Sequence, residues 1–394
     1  MMRILRNLNI ADAREECEKL GISSEEKGLL DKLIQYGGIK LSVAGEVASG
    51  IQQTFTQWED ITLVTSDTSG EEVEVLLIPH CDVLEFLSSD SLRHLERISP
   101  EVYQLLQESR KRFLEESWEY RIPGGTLKIR KPLLMGIVNT TPDSFSDGGQ
   151  FHSPERAYQH AMSLLEGGAN VIDIGGESTR PGASPVPLEE EWQRVGPVIQ
   201  RLAKVKDCII SIDTVKSEIA RRALEEGAHI INDISALRFD ENMVNVAHHY
   251  AVPVILMHMQ GMPQTMQKNP TYTHLMEEII TFFQKQIDYA GGHGVTQLII
   301  DPGIGFGKRV EDNYELIRRI AEFRVFGYPI LLGASRKSFI GKLSGNLPRD
   351  RIGGTIAANL YAYQKGVQMF RVHDVKELKE ALQVFQGIQD LKAS

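Results

Sequence analysis

The sequence lacks the features that mark secreted, zinc-binding and membrane proteins. Its three cysteines, Cys17, Cys81 and Cys208, are far apart and form no C-x-x-C pair, which argues against a disulfide framework and a zinc site. The N-terminal segment M-M-R-I-L-R-N-L-N-I-A-D has no apolar core long enough for a signal peptide, and no later apolar run is long enough to span a bilayer. We therefore expect a cytoplasmic protein that makes no membrane contact.

An excess of basic residues is also missing. The 394-residue chain has a formal net charge of −10, and its first 130 residues contain 15 Lys plus Arg against 23 Asp plus Glu. The rest of the chain, with 28 basic and 30 acidic residues, is nearly balanced. Neither part has the positive bias of a nucleic-acid-binding protein, so we expect no nucleic-acid partner. The length favours two domains.

Residues 1–125 predict a small α+β domain. Helical patterns cover about residues 12–20, 24–36 and 100–118, and extended patterns cover about 40–47, 57–66 and 72–78. His80 and Cys81 are adjacent, but a second pair of metal ligands is missing from the sequence around them. The domain contains no catalytic motif, so its role stays open between docking, dimerisation and regulation.

Residues 126–394 predict a (β/α)8 TIM barrel. Eight apolar runs alternate with helix-like stretches, at about residues 133–139, 170–176, 208–214, 230–234, 253–259, 297–303, 329–335 and 369–374. Apolar runs without polar alternation are typical of parallel strands that helices cover on both faces. Eight such units in about 260 residues match the barrel closely, whereas a doubly wound open sheet, the alternative, usually has fewer strands.

Polar side chains come at or next to the end of every apolar run. In a barrel, these residues should surround one cavity: Asn139, Asp173, Asp213, Asn232, His258, Asp301, Lys337 and Arg371. Burying so many polar groups without partners would cost several kcal/mol each, which favours a functional site. The carboxylates and amide suit a flat heterocycle with N–H donors, such as a pterin or purine. The donors Arg180, Arg371 and His373, with Asn139, suit phosphate or pyrophosphate.

Eight motifs resemble those of the dihydropteroate synthase family. They are G-I-V-N-T-T-P-D-S-F-S-D-G-G, D-I-G-G-E-S-T-R-P-G, S-I-D-T, I-N-D-I, L-M-H-M-Q-G-M-P-Q-T-M-Q, D-P-G-I-G-F-G-K, G-A-S-R-K-S and R-V-H-D-V, in this order from about Leu133 to the C-terminus. The resemblance implies a transferase of folate biosynthesis that condenses 6-hydroxymethyl-7,8-dihydropterin diphosphate with 4-aminobenzoate and releases pyrophosphate. The first 130 residues lie outside it, because the common form of the family is the barrel alone.

The resemblance also implies a role for individual residues. The pterin pocket corresponds to Asp213, Asn232, Met257, Asp301 and Lys337, the pyrophosphate site to Asn139, Arg371 and His373, and the 4-aminobenzoate site to Phe145, Thr179, Arg180, Pro181, Phe306 and Ser338. Among these, Asp213, Lys337, Arg371 and His373 are the implied catalytic residues. Mg²⁺ is the implied cofactor, with Asn139 as its ligand and Asp143 or Asp147 as further candidates. A homodimer and sensitivity to sulfonamides, which mimic 4-aminobenzoate, are implied as well.

Two alternative functions share the barrel and its pterin contacts. A methyltetrahydrofolate methyltransferase has no diphosphate to bind and would not be expected to keep Arg371, His373 or Lys337. A non-catalytic pterin-binding homologue that signals through the first domain is the second alternative, although the chain has every matched site residue. We expect Asp173 and Glu177 to orient loops and strands, and we leave them outside the catalytic set.

Overall fold

A computed structural model gives the fold of this protein. It describes residues 2–6, 8, 10–20, 27–55, 61–66, 72–79, 81–87, 96, 100–130, 132–140, 154–178 and 183–390. The chain forms two compact units. The first contains Met1–Glu115 together with Ala321–Gly327, and the second contains Glu116–Ile320 together with Tyr328–Ser394. None of the described helices is both long enough and apolar enough to cross a bilayer.

The first unit is built on a four-stranded antiparallel sheet in the order β1-β2-β4-β3. Its elements are β1 Met2–Leu5, α1 Ile10–Glu18, α2 Lys27–Tyr36, β2 Gly38–Ala44, α3 Gly45–Phe55, β3 Ile61–Thr65, β4 Glu72–Pro79, α4 Val83–Phe86 and α5 Pro100–Leu114. Apolar residues of α1 and α2 pack on one face of the sheet, and residues of α3 and α5 pack on the other. Both faces are therefore buried.

The sequence patterns missed three elements of this unit, β1, α3 and the four-residue helix α4. The segment predicted as extended over residues 40–47 ends as a strand at Ala44, and α3 follows at once. Apolar side chains at Ala48, Ile51 and Phe55 recur at helical spacing and are buried in the core, which explains the helix. Strand β1 is too short to show a period. The predicted extended residues 57–60 lie outside the described residues.

A buried ion cluster joins the discontinuous parts of the first unit. The Arg3 guanidinium donates to Glu16 Oε1 and to Glu322 Oε2, both at 2.9 Å, and all three side chains are almost fully buried. Ala321 also belongs to the core of this unit. Since a buried charge without a partner is costly, the Ala321–Gly327 segment is a structural part of the first unit and not only a connection within the second.

The second unit is a (β/α)8 barrel, as predicted. Its strands are β7 Leu133–Asn139, β8 Val171–Gly175, β9 Ile209–Asp213, β10 Ile230–Asp233, β11 Val254–Met257, β12 Leu298–Asp301, β13 Leu331–Leu332 and β14 Met369–Val372. The helices between and after them are α6 Pro154–Glu166, α7 Leu188–Leu202, α8 Ser217–Glu225, α9 Met243–Tyr250, α10 Leu275–Gly292, α11 Val310–Arg318, α12 Ser338–Ser344, α13 Ile352–Gln364 and α14 Val375–Asp390.

Neighbouring strands pair in parallel around the barrel, in the order β12-β11-β10-β9-β8-β7-β14-β13. A parallel bridge between Ile300 and Ile330 closes the ring. All carboxyl ends therefore converge on one mouth, where barrel enzymes bind their ligands.

A β-hairpin covers the amino-terminal end of the barrel. Its strands are β5 Trp118–Ile122 and β6 Gly125–Ile129, which the sequence patterns did not predict. Apolar side chains of the hairpin share a buried cluster with the interior residues at the amino ends of the strands, and the Tyr120 hydroxyl donates to the Leu298 carbonyl at 2.7 Å. The barrel interior is thus packed below and polar above, which confines chemistry to the carboxyl end.

Candidate active site

One cavity opens at the carboxyl ends of the strands. It is lined by Asp213, Asn232, Ile234, Met257, Asp301, Gly303, Ile304, Phe306, Gly333, Lys337 and Arg371. Strand residues reach it because alternate side chains of a barrel strand point inward. The structure therefore brings together the whole predicted pterin set, with Arg371 from the predicted pyrophosphate set and Phe306 from the predicted 4-aminobenzoate set.

Arg371 is held between two carboxylates of neighbouring strands. Its Nε donates to Asp173 Oδ2 at 2.6 Å, and its Nη2 donates to Asp213 Oδ2 at 2.7 Å. Burial alone would lower the pKa of the guanidinium, but the two carboxylates outweigh burial and raise it, so Arg371 stays cationic. A guanidinium has five N–H donors, and among the described residues these two bonds leave three available for a ligand.

Burial disfavours the ionised form of the acidic groups in the cavity. Burial raises the pKa of Asp213, and the positive charge of Arg371 offsets only part of the rise. Burial also raises the pKa of Asp301 from 3.8 to about 6, although the backbone N–H of Gly303 donates to its Oδ1 at 2.8 Å. The described part of the chain gives these carboxylates fewer donors than an ionised group can accept, so a ligand with N–H donors would bind them favourably.

The turn after β12 requires a glycine at position 303. Gly303 has φ +70, and a Cβ atom at this position would lie 1.9 Å from the His258 carbonyl oxygen. The close approach places the Gly303 N–H on Asp301 and directs the following residues, up to Phe306, into the cavity wall. The D-P-G motif is therefore a backbone requirement as well as a source of a carboxylate.

Lys337 reaches the cavity from a left-handed turn at Arg336, whose φ is +56. The Arg336 guanidinium is bound by both carboxylate oxygens of Asp374, and its backbone N–H donates to Thr355 Oγ1 at 3.0 Å. The Lys337 ammonium lies 4.1 Å from the centroid of the Phe306 ring, a cation–π contact. Burial and the nearby Arg371 lower the pKa of Lys337 to about 8.

His373 follows β14 and is kept neutral. Burial, and then the charge of Arg371, lower its pKa to about 3. Ser335 Oγ accepts from the His373 backbone N–H at 3.2 Å and lies 3.0 Å from Nδ1. A hydroxyl that donates to Nδ1 favours the tautomer with a proton on Nε2, which makes Nε2 a donor.

Five described residues of the predicted ring of eight or of the predicted ligand sites do not line the cavity: Asn139, Asp173, His258, Ser338 and His373. Asp173 lies beneath it, fully buried, and His258 faces away from it, so the expectation that both surround the cavity was wrong. The His258 ring packs edge-on against Phe282 of α10 at 4.8 Å, because a residue next to inward-facing Met257 must point outward. Asn139, at the end of β7, and Ser338, the first residue of α12, are not among the lining residues either.

The other predicted residues of the 4-aminobenzoate site, Phe145, Thr179, Arg180 and Pro181, lie outside the described residues. The same holds for the further metal candidates Asp143 and Asp147. Their assignments stay predictions.

A buried lysine whose role is not evident from the sequence supports the loop that carries Phe306. Lys308 Nζ contacts His258 Nδ1 at 2.9 Å and donates to the carbonyl oxygens of His258 and Phe306 at 3.3 and 3.1 Å. It thereby ties the loop after β11 to the loop after β12. Its position after a glycine-rich turn gave no signal of this role, since only the fold brings His258 near it.

The residues of the described segments suit a magnesium ion that arrives with a phosphate ligand better than a resident metal. No group of three or more His, Cys, Asp or Glu side chains in those segments has the geometry to hold a metal ion. Mg²⁺ prefers oxygen ligands and commonly keeps water and substrate phosphate oxygens with only one or two protein ligands. The amide oxygen of half-buried Asn139 at the barrel mouth fits that requirement.

Comparison with known proteins agrees with this geometry. The family described as pterin binding enzyme matches residues 135–373. A dihydropteroate synthase of Synechocystis sp. is 47% identical over 258 residues, which cover 65% of this chain and 89% of that protein. The chain belongs to the dihydropteroate synthase family.

Solved structures of the family superpose on the barrel. A Yersinia pestis dihydropteroate synthase in a sulfonamide drug complex is 43% identical to this chain, with a TM-score of 0.66. The alignment covers 69% of this chain and 100% of the Yersinia pestis chain. A Xanthomonas albilineans dihydropteroate synthase in complex with 7,8-dihydropteroate is 40% identical, covers 69% of this chain and 99% of its own, and has a TM-score of 0.63. The family match begins at residue 135, so the first unit lies outside it.

Proposed function

We propose that the barrel condenses 6-hydroxymethyl-7,8-dihydropterin diphosphate with 4-aminobenzoate, giving 7,8-dihydropteroate and pyrophosphate in folate biosynthesis. The identity to dihydropteroate synthases along the whole barrel supports this reaction. The observation that carries it is the position of Arg371, a cation with three donors that no described residue uses, beside the acceptors of one cavity. One cavity can thus hold a heterocycle and the anion attached to it.

The pterin ring would bind to acceptors at the cavity wall. Asp213, Asn232 and Asp301 offer oxygens to the N–H groups of the heterocycle, and Met257 offers an apolar surface for its face. Ionised Asp301 is costly to bury, and donors from the ligand would reduce that cost. The cost of burying the Asp301 carboxylate thus favours binding of a ring that is rich in N–H donors.

The diphosphate would leave toward Arg371 and His373. Breaking the C–O bond first gives a cationic methylene on the pterin and an anionic leaving group, so catalysis means stabilising both charges. Arg371 stays cationic and neutral His373 offers an N–H, which suits the anion, while the carboxylates of Asp213 and Asp301 favour the cation. Mg²⁺, held by Asn139 and substrate oxygens, would neutralise part of the phosphate charge.

The attacking group is the amine of 4-aminobenzoate, which is nucleophilic when neutral, so the site needs no strong general base. Phe306, beside Lys337, would form a wall for the aromatic ring. Phe145, Thr179, Arg180, Pro181 and Ser338 complete the proposed 4-aminobenzoate site. The sulfonamide complex of the Yersinia pestis relative supports a sulfonamide-sensitive site here.

An assay of pyrophosphate release with both substrates and Mg²⁺ tests the proposal. We expect turnover by the full chain, and a loss of about 10²- to 10³-fold in kcat for Arg371→Ala, since one transition-state donor group is removed. Exposed Arg349→Ala is the matched control, because its side chain is 80% exposed. Unchanged pyrophosphate release by Arg371→Ala would refute the proposed role of Arg371. A native chain that releases no pyrophosphate would instead favour a methyltransferase-like barrel, which has no diphosphate to bind.

We also propose that the protein is a homodimer and works in the cytoplasm. Exposed apolar side chains on or next to α12, α13 and α14 support a contact between two copies: Leu343, Leu347, Tyr361, Val384 and Ile388. Ile388 and Val384 are 61% and 60% exposed, which is unfavourable for a monomer in water. Light scattering of the native chain and of the Val384→Glu/Ile388→Glu variant should give a dimer and a monomer; a native monomer would refute the contact.

A further inference from the structure

Asp173 of β8 contacts two residues proposed to bind different parts of the substrate. Its side chain is fully buried and does not line the cavity. Oδ2 accepts from Arg371 Nε at 2.6 Å, while Asn232 Nδ2 lies 3.3 Å from Oδ1 and 3.2 Å from Oδ2. One carboxylate beneath the cavity thus fixes both the residue proposed for the diphosphate and a residue proposed for the pterin.

We infer that Asp173 is a positioning residue that sets which polar atom Asn232 presents to the pterin and which N–H groups Arg371 presents to the diphosphate. The inference rests on the proposed function of the cavity and adds to it a residue that touches no substrate. It follows from the hydrogen-bonding properties of the two partners.

The orientation of the Asn232 amide is decided by Asp173. An ionised carboxylate can only accept, so it must face the NH₂ group of the amide. The amide oxygen of Asn232 then points away from Asp173 and is available as an acceptor in the cavity. Without this constraint, an amide has no intrinsic preference between presenting its oxygen and presenting its nitrogen.

The orientation of Arg371 is decided in the same way. Asp173 binds Nε and Asp213 binds Nη2, so two acids on neighbouring strands hold one edge of the planar guanidinium. The remaining N–H groups belong to Nη1 and the far side of Nη2. A planar group held at two points cannot rotate, so these donors keep one direction.

The Asp173→Asn variant reverses this arrangement. An amide at 173 has a single acceptor oxygen, which the short bond to Arg371 would keep, so its NH₂ group would face Asn232. Asn232 would then turn its oxygen toward Asn at 173 and its NH₂ group toward the cavity. The variant also removes half of the negative charge that Arg371 contacts directly.

Binding of three separate ligands to the full-length protein, measured by calorimetry with Mg²⁺ present, tests the inference. The probes are 6-hydroxymethyl-7,8-dihydropterin, pyrophosphate, and 4-aminobenzoate with pyrophosphate present. We expect Asp173→Asn to weaken the pterin and pyrophosphate by about 10- to 100-fold each. Under saturating pyrophosphate, 4-aminobenzoate binding should change less than about threefold, because no proposed contact to it depends on Asp173.

The double variant Asp173→Asn/Asn232→Asp provides a rescue. It keeps the total charge, and an Asp at 232 accepts from the amide at 173 while presenting an oxygen to the cavity. We expect it to recover at least about tenfold of the lost pterin affinity. A residue that only supports folding would not be rescued by exchanging the two groups.

The control is Ser211→Ala. Ser211 pairs with Asp173 in the β8–β9 register and is fully buried, and its hydroxyl has no hydrogen-bond partner within the described part of the chain. We expect native binding of all three ligands. The inference is overturned if Asp173→Asn binds pterin and pyrophosphate as the native protein does, if all three ligands weaken equally, or if the double variant recovers nothing. Failure of the proposed function would appear separately, as a native chain that releases no pyrophosphate.

Discussion

Replacing Asp301 by Asn should stabilise the fold while it damages the site. Asp301 is 5% exposed, and burial raises its pKa from 3.8 to about 6. A pKa shift of this size means that the ionised carboxylate lowers the free energy of unfolding by about 3 kcal/mol at pH 8. Asn keeps an oxygen for the Gly303 N–H and carries no charge, so the variant should regain up to about 3 kcal/mol.

The pH dependence fixes the sign of the effect. A carboxyl group whose pKa is higher in the folded state contributes stability below pH 3.8, and this contribution is lost as the pH rises through about 6. The advantage of Asp301→Asn over the native protein should therefore be largest at pH 8 and fall below about 1 kcal/mol near pH 4. Acceptance of pterin N–H groups should weaken at the same time, and the KM for the pterin substrate should rise by about tenfold or more.

Urea unfolding followed by tryptophan fluorescence measures this difference, since Trp118 and Trp192 both belong to the barrel unit. The matched control is Asp350→Asn, the same change at a carboxylate that is 56% exposed, which should leave stability within about 0.5 kcal/mol at every pH. An Asp301→Asn protein that is less stable than native at pH 8, or whose advantage does not depend on pH, would refute the reasoning.

Three further results are expected from the same site. The kcat/KM for the pterin substrate should fall as the pH rises above about 8, where Lys337 loses its charge, and Lys337→Met should be low and flat over this range. Phe306→Leu should raise the KM for 4-aminobenzoate and weaken sulfonamide inhibition about 5- to 20-fold, because the wall beside the ammonium loses its aromatic face, while the KM for the pterin changes less. Removal of metal with EDTA should abolish turnover and weaken pyrophosphate binding, and added MgCl₂ should restore both; turnover in metal-free buffer would exclude the proposed role of Mg²⁺.

The barrel could be predicted from the sequence because its signals are local. Each strand is an apolar run that is covered on both faces. Turns are marked by turn-forming residues, such as the D-P-G motif before Ile304. The hairpin at Trp118–Ile129 was missed because the apolar surface that it covers, at the amino-terminal end of the barrel, forms only when the barrel closes. The helix Gly45–Phe55 was missed because a strand precedes it without a loop.

The sequence identifies individual candidate residues of the site, but not where each lies relative to the cavity. The end of a strand identifies Asp213 or Arg371 as a candidate, but the sequence does not reveal that Asp173 lies below the cavity and His258 outside it. The direction of each side chain depends on the register of its strand. A shift of one residue moves a side chain from the barrel interior to the helix layer. The left-handed backbone of Arg336 was equally hidden, since its partners come from distant parts of the chain.

The charges described around the cavity favour a positive charge on the bound ligand. Among the charged side chains that line the cavity or contact Arg371, the three carboxylates of Asp173, Asp213 and Asp301 outnumber the two cations of Arg371 and Lys337 by one when all are ionised. Burial raises the pKa values of Asp213 and Asp301, so this excess is unfavourable without a ligand. A positive charge that develops on the pterin methylene would relieve it, whereas the neutral substrate ring would not. Excess negative charge at the cavity would therefore stabilise a transition state with a cationic methylene more than a neutral pterin ring, which is the condition for a faster reaction.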